Sequence, residues 1–358
     1  MAYGQLRFLY DNRVTSLDMI TPGSQATGIV SGGQKTIGTE SAILVAVGSY
    51  SGAEDLLYTV QIDSTTPGVS VGQATFRWRT SETASGWEAS GVTTSSTLLT
   101  LNYGVKIAWQ SGDGNDFAVG NTWIFNANAI FGPGRLIDHE RNTIFRTGST
   151  YTVVIDLGSA QQITAFALLD HNVTTGGTFT LQANTSDSWG SPAYSQVVTI
   201  QDPMYLYLDE TYRYWRLVPV DGAISYFEAG ELFLGQYTEL EKCNADWGAV
   251  QTNGYVLYSN NSYTGLQRRK AYAKQRKLNL SFPLTSNTDI DTITTMQDAL
   301  VDLETGEVNP LLVHLYYDEA DKLYYMDWDN INAWGVEFFR VGWNNMTMQF
   351  TEQVKSRI

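Results

Sequence analysis

Cysteine is almost absent from this chain. Cys243 is the only one in 358 residues, so no disulfide can form within it. Stability must then come from packing and assembly rather than from cross-links. Histidine is nearly as scarce, at three: His139, His171 and His314. None sits in a G-x-S-x-G elbow, and one cysteine with three scattered histidines gives no zinc-ligand spacing. No phosphate-cradling glycine loop or dinucleotide fingerprint is present either. Carboxylates for glycoside hydrolysis are offered in type only, by "DEADK" and "DWDN" near 318 to 330. Both stretches read as parts of a hairpin, where acidic residues ordinarily solvate the turn. The sequence points away from an enzyme.

Long apolar runs are missing too. The longest aliphatic stretch, "AILVAV" at 42 to 47, is far below the roughly 20 residues that span a bilayer. The opening "MAYGQLRFLYDNRV" is broken by polar residues before an export signal could form, so assembly in the cytoplasm without membrane insertion is expected. Positive charge is in short supply: 22 Lys and Arg stand against 37 Asp and Glu, a net charge of −15. Phosphate backbones would be repelled, which argues against nucleic acid and leaves protein or neutral-sugar partners.

Aromatics are plentiful, at 13% of residues against only 16% charged. Alternation of apolar and polar residues runs through most of the chain, the mark of half-buried strands. Tyr58, Val60 and Ile62 share one face, as do Phe76 with Trp78, and Val105, Ile107 and Trp109. These segments, with Trp123 and Phe125, predict a small β-sandwich over 38–129. A second set starts at "IFRTGSTYTVVIDLG". Val153, Ile155 and Leu157 alternate, and 163 to 169 is apolar on both faces, as a central strand should be.

After Gly235 the pattern changes. Two long strands are followed by the one helix that the spacing predicts, at about 288–304. Ile290, Ile293, Met296, Leu300 and Leu303 recur every three or four residues, Thr288 with Asp291 resembles a capping box, and Gly306 closes the helix. Hairpins complete a β-sandwich with one packed helix over 237–358. The expected fold is therefore all-β and multidomain.

"VVIDLGSAQQITAFAL", "YRYWRLV" and "GELFLG", in that order, resemble the discoidin-like, or galactose-binding-like, jelly-roll family. Modules of this kind in bacteriophage tail proteins open with "YDNR" and continue with "FRT", "DLG" and "HN". Here "YDNR" lies more than a hundred residues before "FRT". The resemblance thus implies a jelly roll over 1–37 plus 130–236, interrupted by the small sandwich. The C-terminal region is similar in outline to tail-tube and distal-tail proteins, which assemble as rings. Together these imply a virion component of the tail tip, baseplate or fibre-attachment region. Its expected partners are other tail proteins, further copies of itself as a trimer or hexamer, and host-surface glycans. The alternative is a carbohydrate-binding, lectin-like protein or the non-catalytic part of a polysaccharide depolymerase.

Three groups of residues stand out as sites. No cofactor is required, but family members often hold a structural calcium, and Asp138, Thr143 and Glu231 fall at the matching positions. His139 replaces the glycine that follows the aspartate in that pattern, and a salt-bridged loop is the other reading of these residues. Trp189 with Asp187, in the polar loop "ANTSDSWGSPAYS", offers an aromatic plate for a sugar, or else an anchor that packs the loop. Finally, Arg268, Arg269, Lys270, Lys274, Arg276 and Lys277 crowd ten residues. They form either a solvated hairpin face or an assembly contact with an acidic neighbour, such as a second copy of this chain.

Overall fold

The computed structural model describes residues 6–240, 250–261, 267–285, 287–303, 306–315, 322–331, 336–340 and 343–354. Cys243 and the acidic residues 318–321 lie outside the described residues. In chain order the first strands are β1 (Leu6–Asn12), β2 (Ile20–Pro22), β3 (Ile29–Val30), β4 (Gln34–Ile37), β5 (Ile43–Gly48) and β6 (Leu56–Ser64). They are followed by β7 (Thr75–Thr80), β8 (Ala89–Thr93), β9 (Leu99–Thr100), β10 (Val105–Gln110), β11 (Thr122–Asn128) and β12 (Phe145–Arg146). Next come β13 (Val153–Leu169), β14 (Thr178–Asn184), β15 (Tyr194–Val198), β16 (Met204–Val220), β17 (Glu228–Ala229) and β18 (Glu231–Leu240). The last elements are β19 (Val250–Asn261), β20 (Gln267–Thr285), α1 (Asn287–Leu300), β21 (Leu311–His314), β22 (Leu323–Trp328), β23 (Val336–Arg340) and β24 (Trp343–Glu352). The chain is mostly β with one helix among the described residues. None of its described helices is long and apolar enough to cross a membrane.

The chain divides into two compact units. The first comprises residues Met1–Pro22, Arg135–Ile144 and Tyr151–Ile358, and the second Gly23–Gly134 with Phe145–Thr150. In the second, β3, β11, β6, β7 and β8 form one sheet, with β4 also on β11, and β5, β10 and β9 form another. The alternating residues meet between them. Trp109 lies edge-on to Trp123 at 4.7 Å and to Phe117 at 5.1 Å. Such pairs add about 0.5–1.5 kcal/mol each beyond the area they bury. This unit starts at Gly23 rather than at 38, because β3 and β4 hydrogen-bond to β11 and Gln25 bridges to Thr147.

The first unit is organised by one sheet in the order β15-β14-β16-β13-β18-β1-β21-β22-β24-β20-β19. Its central strand, β13, buries Ile163 and every residue from Ala165 to Leu169. The alternating stretch 153–157 and the apolar stretch 163–169 read as separate strands. β13 instead runs on for 17 residues against β16, with a register shift between Asp156 and Gln161. Gly158 sits inside that bulge at φ +73, where a Cβ would be strained. Its N–H donates to Asp156 Oδ1 at 2.8 Å, and Leu157 points into the core.

β1 belongs to both expected regions of this unit. It pairs with β18 on one side and with β21 on the other. Leu6 and Phe8 join the core that also holds Ile293, Met296 and Leu300 of α1, while Leu9 faces Ala165, Ala167 and Phe233. The jelly-roll and C-terminal regions, expected as separate domains, therefore share a sheet. α1 ends at Leu300, not at 304. The chain turns at Val301, which bridges to Val308, and Gly306 at φ +75 serves that turn. Leu303, left outside the helix, is 90% exposed.

Candidate functional site

Trp189 and Asp187 are brought together, and two residues that sequence reading passed over complete the arrangement. Gln182 on β14 stands directly opposite Arg216 on β16. Arg216 donates from Nε, at 3.0 Å, and from Nη2 to the same oxygen, Gln182 Oε1. So held, its guanidinium lies over the Trp189 ring, 4.5 Å from the centroid. The indole Nε1–H donates to Asp187 Oδ1 at 2.6 Å, and Asn184 Nδ2 donates to the Ser188 carbonyl at 2.6 Å. Partial burial pushes the Arg216 pKa down, against the pull of the Asp187 charge. The result is a fixed, half-buried aromatic plate with a cation on one face and a carboxylate at its edge. A polar residue on each of two adjacent strands, next to a loop tryptophan, is the sequence signal that could have found Gln182 and Arg216.

Asp138, Thr143 and Glu231 also converge. Thr143 Oγ1 donates to Asp138 Oδ2 at 2.7 Å, Arg135 Nη1 reaches the same oxygen at 3.3 Å, and the Glu140 N–H donates to Oδ1 at 3.1 Å. Backbone groups of His139 and Glu140 favour the ionised form of Glu231, but burial outweighs them. His139 takes φ +61, the left-handed conformation that the missing glycine would adopt without strain. Calcium wants six or more oxygens turned inward. Here the oxygens of Asp138 and Thr143 face protein hydrogen-bond partners, and Glu231 Oε1 alone is buried without one. Among the described residues no three His, Cys, Asp or Glu side chains group for a metal ion. As arranged, the loop does not fit calcium. Its clamp is Arg141, which grips Asp170 through Nε and Nη2 at 2.9 Å each and donates from Nη1 to the Gln353 carbonyl at 3.1 Å.

Glu231 lines a cavity of about 350 Å³ with Leu9, His139, Leu169, Phe233 and Tyr325 among its walls. Burial first, and the Asp138 charge second, push the Glu231 pKa up to about 9, so the carboxyl is neutral at pH 7. Burial likewise lowers the His139 pKa, and its Nδ1 lies 3.3 Å from the Tyr325 hydroxyl. The other two histidines are engaged as well: His171 Nε2 with the Gln201 carbonyl at 2.8 Å and His314 Nδ1 with the Tyr207 hydroxyl at 2.7 Å.

The basic cluster lies along β20, antiparallel to β19. The side chains of Arg268, Arg269 and Lys270 lie outside the described residues. Lys274 and Lys277 are exposed. Arg276 is engaged within the unit, paired with Glu352 at 2.7 Å and set over Tyr324, 4.9 Å from the ring centroid.

No protein-family model matches the chain, and no curated protein matches it. Parts of solved structures are similar. A fucosidase of Ruminococcus gnavus in complex with fucose matches over 31% of this chain and 23% of its own, at 15% identity and a TM-score of 0.27. Chitosan-binding module 1 of a chitosanase/glucanase from Paenibacillus sp. IK-5 matches over 30% of this chain and 88% of its own, at 19% identity and a TM-score of 0.24. A fucose binding module of Streptococcus pneumoniae matches over 29% and 82%, at 12% identity and a TM-score of 0.25.

Proposed function

We propose that this chain is a non-catalytic binding protein that holds a sugar against Trp189. The observation that carries this reading is the fixing of an exposed-loop tryptophan from two directions, by Arg216 over its face and Asp187 at its N–H. A plate so held loses little rotamer freedom on binding, which lowers the entropy cost of association. Sugar C–H groups pack on the rest of the ring, and Asp187, Asn184 and Gln182 supply hydroxyl partners at its rim. With one cation and one carboxylate, the site is electrically balanced and suits a neutral sugar.

The test is a glycan array probed with the full chain, followed by calorimetric titration of its best neutral ligand. Trp189→Ala should weaken binding at least tenfold, and unchanged affinity in that variant removes the proposal.

A second reading, a tail component built from several copies, is favoured by one observation. The large sheet ends at β19, a 12-residue strand whose outer edge pairs with no described strand. Open edges of that length invite strand addition by another chain. This reading carries with it the virion location and the tail-protein partners. Immunogold microscopy of phage-containing lysate tests it: gold at tail ends supports it, and gold on free soluble material counts against it.

A further inference from the structure

The arrangement around Trp189 recurs in the second unit. Gln61 on β6 stands directly opposite Arg77 on β7, as Gln182 stands opposite Arg216. Arg77 donates from Nε, at 3.0 Å, and from Nη2 to the single oxygen Gln61 Oε1. Its guanidinium lies over the Trp87 ring, 4.3 Å from the centroid, against 4.5 Å at the first site. All six side chains are half-buried. Exposed arginines on a solvated sheet ordinarily keep their rotamer freedom. Two strand pairs in two different units both hold an arginine by the same two donors and place it on a loop tryptophan.

The two sites differ in charge. At the first, Asp187 takes the indole N–H and offsets Arg216. At the second, another guanidinium, that of Arg79, also faces Trp87, 5.2 Å from the centroid. The neighbouring carboxylate, Glu88, accepts the Thr83 hydroxyl at 2.7 Å. In a chain of net charge −15, two guanidiniums set on one tryptophan reverse the local sign.

We infer that the Arg77–Arg79–Trp87 face is a second sugar site, selective for sugars that carry a carboxylate, such as uronic or sialic acids. Two of the five N–H donors of Arg77 are used on Gln61, and the planar fork of a guanidinium matches a carboxylate in two-point contact. The sugar ring packs on the indole, as at Trp189. The inference rests on the reading of the Trp189 site as a sugar site, because the shared arrangement is what brings the ligand class across.

Calorimetric titration of the full chain at fixed ionic strength tests it, with trigalacturonate and sialyllactose as acidic probes and the methyl ester of each as its uncharged control. At least one acid should bind, and its ester should bind at least tenfold more weakly. Trp87→Ala and Arg79→Gln should each cost tenfold or more on the acid, while Trp189→Ala leaves it unchanged. Arg79 is exposed, so its variant keeps the test valid should Trp87→Ala fail to fold. Equal binding of acid and ester, no binding of either acid, or full affinity in Arg79→Gln overturns the inference. If a neutral glycan still binds and is lost in Trp189→Ala, only the second site falls. If no glycan binds at all, the reading of the first site falls with it.

Discussion

Replacing Arg141 by methionine removes the cation that clamps the 137–143 loop to Asp170, just beyond β13, and to Gln353. Its two 2.9 Å bonds to Asp170 join side chains that are only 18% and 8% exposed. The perturbation therefore strands a carboxylate in a desolvated place rather than trimming a surface pair. Breaking such a pair from one side costs about 3–5 kcal/mol, where an exposed pair would cost under about 1. Coulomb attraction at an effective dielectric of 20 and contact distance gives about 4 kcal/mol, in the same range. The third bond, to the Gln353 carbonyl, adds roughly 1 kcal/mol. For a unit of this size a loss of about 4 kcal/mol lowers the melting temperature by roughly 8–16 °C. Differential scanning calorimetry of Arg141→Met, Asp170→Asn and the double variant measures both loss and coupling. The double variant should be more stable than the sum of the singles implies, by about 2 kcal/mol or more. A single-variant loss under about 1 kcal/mol, or strict additivity, would refute the claim that a guanidinium holds this loop.

The same argument predicts that calcium at millimolar concentration leaves the melting temperature unchanged; a rise of more than about 2 °C would show that the loop rearranges to bind it. Glu231→Gln should flatten the pH dependence of stability. The folded pKa of about 9 lies above the ordinary 4.5, so the stability Glu231 contributes is full below pH 4.5 and drains away as pH rises toward 9. At pH 7 the loss reaches roughly 3–4 kcal/mol, 2.5 pH units at about 1.4 each. Denaturant unfolding of both proteins from pH 5 to 9 checks this, and a constant gap between them contradicts it. Gly158→Ala should destabilise by about 1 kcal/mol through backbone strain alone, since nothing lies within 4 Å of the added Cβ; a loss above about 3 kcal/mol would mean that a clash is involved. Leu303→Lys, at a position 90% exposed, should change stability by less than about 0.5 kcal/mol.

Local alternation was enough to place the cores. Tyr58, Val60, Ile62, Phe76, Val105, Ile107 and Trp109 are all buried as their spacing requires. The period-2 pattern survives in the sequence because each strand has one wet face. What it could not carry was partnership. β1 reads as the opening strand of one region, yet its two faces serve different cores, Leu6 and Phe8 one and Leu9 another. No property of "LRFLYDN" says which strands flank it, because alternation fixes faces and not neighbours. The expected boundary at residue 37 failed for the same reason: β3 and β4 are short segments whose membership is decided by β11, some ninety residues later.

The two tryptophan sites mark the same limit at the level of chemistry. Trp189 lies in a polar loop that marks it as a plate, and Trp87, in "SETASGWEAS", sits in a similar loop. Each gains its character from an arginine and a glutamine set opposite each other across a ladder, 16 residues apart in one case and 34 in the other. Neither spacing is a motif. The recurrence is one of register: a long planar amide on one strand, a guanidinium facing it, and a loop tryptophan within reach of both. Charge then separates the two, since Asp187 lies two residues before Trp189 while Arg79 lies eight before Trp87, on the same strand as Arg77. A fixed platform with an interchangeable charge beside it is a means of giving two sites one class of ligand and different members of it.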